Sequence, residues 1–238
     1  MIPIRDTIPS TTVPGVTYLL IALNVGVFLL ELSLGSSHAQ ERFVTQHGFI
    51  PARLLHDLAH GAPLTAAFAP VVSSMFLHGG WMHLIGNMLY LFIFGDNVED
   101  RLGHGRYLGF YLASGLAAAL AQFAGNPTST LPMVGASGAI AGVTGAYLRF
   151  YPTARVVTVV PVFFILTTIQ IPAFLVLIPW FLMQIQGGLA SLGGHGPPGG
   201  VAFWAHVGGF VLGLLVAPWL SRSPSGRARR PWSDESPF

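Results

Sequence analysis

Long apolar runs separated by short polar or arginine-bearing stretches dominate the chain. Six can be drawn, at roughly 16–34, 78–95, 107–124, 136–150, within 156–190, and 202–220. Each except the fourth approaches the ~20 residues a helix needs to cross ~30 Å of hydrocarbon. Gly and Pro inside such runs are tolerable, because neighbouring helices re-satisfy the backbone groups they free. The pattern predicts an all-α membrane protein: a bundle of six transmembrane helices whose short fourth helix starts inside the bilayer. The fifth run is irregular. Residues 156–186 carry no charge over 31 positions and include Pro161, Pro172 and Pro179. This predicts an interfacial or re-entrant 156–170 with the true helix after Pro172; one long kinked helix is the alternative.

Between the first two runs, 36–73 mixes Phe43, Phe49, Ile50, Leu54, Leu55 and Leu58 with Arg42, Arg53 and Asp57, as interfacial segments do. The expected layout is an N-terminal segment (1–15), a helical domain (16–220) containing the interfacial loop 36–73, and a disordered tail (221–238) rich in Arg, Ser and Pro.

Composition removes the soluble alternatives. The 238 residues are 52% hydrophobic and 8% charged, against about 25% charged in soluble domains. With no cysteine, disulfides and thiolate sites are excluded. The first run lacks a basic flank and a small-residue cleavage site, so it reads as a spanning helix rather than a signal peptide. No cofactor and no nucleic-acid partner is expected; the lipid bilayer is the expected environment. All the basic charge is arginine. Six spans put Arg5, Arg101, Arg106, Arg149, Arg155, Arg222, Arg227, Arg229 and Arg230 on one side, leaving Arg42 and Arg53 opposite. Both termini are therefore expected in the cytoplasm.

Three polar groups share a depth. His83 lies 13 residues before Asp96, Ser137 lies 12 before Arg149, and His206 lies 15 before Ser221. At 1.5 Å per residue these are ~20, ~18 and ~22 Å above the inner ends of their runs. All three fall roughly 10 Å below the outer edge of the core. The fourth run is too short to cross: either it starts at the floor of a water-filled cavity or it is not a span. The preceding 126–134, with Pro127 and Pro132, could dip in to meet it.

Small-residue pairs accompany two of these groups. Gly138 and Gly142, with Gly145 near the same face, follow Ser137, and Gly209 and Gly213 follow His206. Such pairs let membrane helices approach closely. Gly135 precedes the serine.

An ionisable residue in an apolar segment is a functional hypothesis by default. His206 can serve as general base to Ser137, taking its proton and returning it to a leaving amine. No Asp or Glu falls within the second to sixth runs as drawn, which implies a Ser-His dyad. His83 and Asn87 are spaced i, i+4 and share a helix face. Both can donate to a developing oxyanion, as can the Ser137 N–H. Alternatively they are a buried polar pair, or with His78 a metal site; the lack of thiolate or carboxylate there argues against metal. His47, His56, His60 and His195 lie in loops and need no function. A nucleophile, a base and oxyanion donors within lipid imply an intramembrane serine protease.

Four ordered motifs strengthen this: His78-Gly-Gly-Trp-Met-His83-Leu-Ile-Gly-Asn87, Glu99-Asp-Arg101-Leu-Gly103, Gly135-Ala-Ser137-Gly138 and Ala205-His206-Val-Gly-Gly209. Across roughly 15–220 the chain resembles the rhomboid intramembrane serine proteases. The resemblance implies a rhomboid-like bundle with Ser137 as nucleophile, His206 as base, His83 and Asn87 in the oxyanion hole, and Glu99 and Arg101 in a structural loop. It implies cleavage of transmembrane protein substrates near the outer face, movement of the fifth span for substrate entry, and a bacterial inner-membrane location. In one respect the chain departs from the pattern. Many members place an aromatic residue four positions after the serine, stacked on the histidine; here that residue is Ala141, so either His206 is less firmly held or another aromatic, such as Phe210 or Trp204, substitutes.

Two other functions fit fewer features. A non-proteolytic rhomboid-like binding factor would not need both Ser137 and His206, and serine-directed fluorophosphonate labelling separates it from a protease. A transporter relaying protons through His83 and His206 would be expected to show a mid-membrane charge and an inverted repeat. If His206 is the base, cleavage falls in acid as the ring protonates, whereas a flat profile from pH 5 to 8 counts against it.

Overall fold

The computed structural model describes residues 2–162, 165–192 and 201–221. Nine helices and three strands occur among them. The helices are α1 (Gly15–Ser33), α2 (Ser37–His47), α3 (Pro51–Ala59), α4 (Leu64–Ser74), α5 (Trp81–Leu102), α6 (His104–Gly125), α7 (Ser137–Phe150), α8 (Ala173–Leu192) and α9 (Phe203–Leu220). The strands are β1 (Ile2–Asp6), β2 (Arg155–Val162) and β3 (Ile165–Pro172). The expected tail and His195 lie outside the described residues.

Four helices, α1, α6, α8 and α9, are long and apolar enough to cross a membrane. Their lipid-ready faces carry exposed apolar side chains such as Leu19, Leu23, Leu120, Leu182 and Leu215. In water such faces would drive aggregation; in hydrocarbon they are solvated. The chain is an integral membrane protein. Helix α5 has the length, but its last two turns hold Asp96, Glu99, Asp100 and Arg101. Helix α7, at 14 residues, spans only ~21 Å. Every residue from Gly138 to Leu148 is buried, because α5, α6 and α9 surround it.

Residues 36–73 form α2, α3 and α4. Ser36 caps α2 by accepting from the Ala39 N–H. Phe49, Leu54, Ala67 and Val71 make a small core against Ala119 of α6. Phe49 and Met133 exchange backbone hydrogen bonds of 3.1 and 2.7 Å, fastening this unit to the segment that leads into α7.

The sheet corrects the all-α expectation and replaces the alternative of one long kinked helix with a hairpin. Strands β2 and β3 pair antiparallel from Arg155↔Pro172 to Val162↔Ile165, and β1 adds on the other edge of β2. The run Val156-Val157-Thr158-Val159-Val160 is β-branched, which favours extended backbone. An uncharged run of this length carries no period that separates strand from membrane helix, and one of the two pairing partners, β1, lies about 150 residues away. Helix α8 follows β3 directly after Pro172.

The second correction concerns the Glu99 motif. Glu99 and Arg101 sit in the last turn of α5, not in a loop. The helix ends at Gly103, whose φ of +81° suits glycine. Glu99 is fully buried. It accepts from the N–H groups of Val16 (2.9 Å) and Thr17 (2.8 Å) and from the Thr17 hydroxyl (2.7 Å). Two orphan donors at the start of α1, which has no side-chain cap of its own, are thereby satisfied from another helix. Arg101 lies over the Phe150 ring, 5.5 Å from its centroid.

Candidate active site

The first turn of α7 opens into a cavity of about 620 Å³ whose walls include His83, Asn87, Gly135, Ser137, Trp180 and His206. Ser137 is the first residue of α7 and has no side-chain cap above it, so the N–H groups of that turn are free of intrahelical partners. The loop that delivers it is held by a 2.9 Å bond from the Gly135 N–H to the Ser74 carbonyl. Gly135 belongs to this loop rather than to the helix-packing stripe. Its φ is +119°, and a Cβ there would meet the His83 ring at 2.6 Å. Glycine thus lets the backbone before the serine lie against the imidazole.

Helices α7 and α9 are in backbone contact. A Cβ on Gly209 would strike the Gly138 carbonyl, and one on Gly213 the Gly142 carbonyl. Gly138 lies beside Ala205 and Gly142 beside Gly209. This approach brings His206 Nε2 to 2.8 Å from Ser137 Oγ. The residues are 69 positions apart.

His206 Nδ1 is 2.8 Å from Gln184 Oε1 on α8. Its signal in the sequence is weak: in the sixteen residues 171–186 only the two glutamines, Gln184 and Gln186, carry an amide, and neither carries the charge that marks an intramembrane site. The aromatic neighbour also differs from expectation. Trp180 lies 5.8 Å from the His206 ring with a 37° interplanar angle. Phe210 instead stacks on Phe181 at 4.3 Å, and Trp204 packs against Gly125 and Gly188. Ala141 is buried.

On α5, Asn87 Nδ2 is 3.0 Å from His78 Nε2, and the His78 and His83 rings meet edge-on at 5.1 Å. His78 precedes the helix, which begins at Trp81, and its ring still meets this face. A second missed residue is Glu31 of α1, which is buried and accepts from the His78 N–H at 3.3 Å. Among the described residues no three His, Asp or Glu side chains are grouped to hold a metal.

A serine and a histidine within hydrogen-bond reach, in a cavity of a membrane-embedded helical bundle, define a class of membrane protein equipped for nucleophilic chemistry. The family model described as the Rhomboid domain matches residues 66–223, and the chain belongs to the rhomboid family. It is 36% identical over 141 residues to "Rhomboid protease GluP" of Bacillus subtilis, covering 57% of this chain and 24% of that protein. It is 25% identical over 226 residues to "Rhomboid protein 1, mitochondrial" of Saccharomyces cerevisiae, covering 91% of this chain and 56% of that one. "Putative rhomboid protease YdcA" of Bacillus subtilis is 36% identical over 78 residues, 33% of this chain and 39% of its own length. The matched region thus spans between about a quarter and just over half of these relatives.

Proposed function

We propose that the protein is an intramembrane serine endopeptidase that cleaves transmembrane-helix substrates near the outer face of the membrane. The observation that carries this reading is the 2.8 Å approach of His206 Nε2 to Ser137 Oγ inside the cavity. Two relatives named as rhomboid proteases support it.

In the proposed reaction His206 takes the Ser137 proton as Oγ attacks the substrate carbonyl. Negative charge develops on the carbonyl oxygen. Donors from His83, Asn87 and the Ser137 N–H stabilise it, each worth about 3–4 kcal/mol in the transition state. His206 then protonates the leaving amine, and an acyl-enzyme on Ser137 remains. Water entering the cavity hydrolyses it, with His206 again as base.

The membrane plan that goes with this reading has six spans: α1, α5, α6, α7, α8 and α9. The short α7 starts within the bilayer at the cavity floor, and α2–α4 lie along the outer interface. Both termini face the cytoplasm, by the arginine asymmetry, and a bacterial inner membrane is the proposed location. The domain proper is 16–220, flanked by the N-terminal segment and the tail. The deciding experiment is mass spectrometry of a model transmembrane substrate after incubation with the purified protein in liposomes. A unique internal cut that disappears in Ser137→Ala is the expected result. An intact substrate, or a cut that persists in the variant, removes the proposal.

A further inference from the structure

We infer that Gln184 is a positioning residue for His206, fixing its tautomer and ring orientation from α8 in the role a carboxylate plays in soluble serine hydrolases. The inference rests on the protease reading above and deepens it.

The hydrogen bonds determine the arrangement. Gln184 is buried, and its Nε2 donates to the Trp180 carbonyl one turn earlier at 3.3 Å. That fixes the amide: with the NH₂ on a carbonyl, Oε1 is the atom left to face His206, 2.8 Å from Nδ1. An amide oxygen only accepts, so Nδ1 carries the ring proton. In the neutral ring Nε2 is then the lone-pair nitrogen, and it is the atom that faces Ser137 Oγ. Gln184 therefore selects the one tautomer in which His206 can act as base. The opposite tautomer would present an N–H to the serine and a lone pair to the amide oxygen.

Membrane burial explains why an amide serves here. A buried carboxylate carries a desolvation penalty of several kcal/mol unless it is well paired. An amide orients the ring with no net charge. It accompanies Trp180, one turn away on α8, whose ring lies 5.8 Å from that of His206. Both contacts come from α8, so the position of that helix sets the posture of the base.

The test compares Gln184→Met, Gln184→Asn and Gln184→Glu with the parent protein in liposomes. Two rates are read: fluorophosphonate labelling of Ser137, which requires no substrate helix, and kcat and KM for a cleaved reporter. Methionine fills the volume without an acceptor, asparagine falls one methylene short, and glutamate keeps the acceptor oxygen. The expected result is loss on the order of 10²-fold in labelling rate and kcat for Met and Asn, with KM little changed, and most of the rate retained by Glu. Parent-like labelling in Met or Asn overturns the inference. So does an equal loss in all three, which would make Gln184 a packing residue. Should Met fail to fold, Asn carries the same comparison. Failure of the protease reading is seen separately, as labelling and cleavage that survive Ser137→Ala.

Discussion

Gly209 packs its Cα against the carbonyl oxygen of Gly138, so α9 and α7 meet with no side chain between them. The contact repeats one turn on, between Gly213 and Gly142. The neighbour in each case is backbone of a fully buried helix and cannot swing aside. We expect Gly209→Ala to cost about 3 kcal/mol, the upper end for overpacking, and to separate Ser137 from His206. Thermal unfolding in detergent measures the first effect and fluorophosphonate labelling the second. Gly26→Ala on α1 is the control, since nothing lies within 4 Å of its missing Cβ. That change is expected to be neutral or stabilising by a few tenths to about 1 kcal/mol. Equal behaviour of the two variants would refute the packing argument.

Asn87 of α5 pairs with His78, which precedes that helix, and lines the cavity together with Ser137. If the Asn87 amide donates to the oxyanion, Asn87→Ala should lower kcat on the order of 10²-fold with KM nearly unchanged. A rise in KM with kcat intact would assign Asn87 to substrate binding instead.

The parts of the structure legible in the sequence were those carried by long apolar runs and local spacing. Five of the six drawn runs match helices α1, α5, α6, α7 and α9 within a few residues at most ends, because membrane helices satisfy their own backbone and leave an uninterrupted apolar signature. Ser137, His206, His83 and Asn87 could be found because each is a polar interruption of such a run. What escaped depends on partners distant in sequence. Strand β2 pairs along its length with the adjacent β3, and its other edge is covered by the distant Ile2–Asp6. Glu99 is buried because α1 begins against it. Gln184 is not legible because an uncharged amide among apolar residues carries no sign of the distant ring it faces. Charges follow the second apolar run at 95, yet α5 continues to Leu102, its carboxylates being absorbed by caps and hydroxyls.

Those caps carry their own prediction. Glu99→Ala strands the N–H groups of Val16 and Thr17 in a buried setting. The expected loss is about 3–5 kcal/mol in reversible unfolding. Glu99→Gln keeps one acceptor oxygen and should lose less. If both cost under about 1 kcal/mol, α1 is not held by this contact.

The end of the bundle that carries β1 also holds an acid whose ionisation opposes docking of that strand. Asp6 closes β1 and accepts from the Tyr147 hydroxyl at 2.5 Å and from Asn97 Nδ2 at 3.2 Å. Burial pushes its carboxyl up to about 6, with the nearby Asp96 adding to the rise and the Tyr147 bond opposing it. A folded-state value above the unfolded one means that the docked strand binds the proton more tightly than the free strand does. The stabilisation from that proton is full below about 3.8 and is lost as pH rises through about 6. Amides of β1 should therefore exchange hydrogen more readily, after correction for intrinsic rates, at pH 7 than at pH 5. Asp6→Asn cannot ionise and keeps an acceptor for Tyr147, so its protection should be level across that interval. The comparison cancels groups that titrate equally in both proteins. A parent protein whose β1 protection changes no more than that of Asp6→Asn between pH 5 and 7 would mean that Asp6 is ionised throughout and that its burial does not govern the strand.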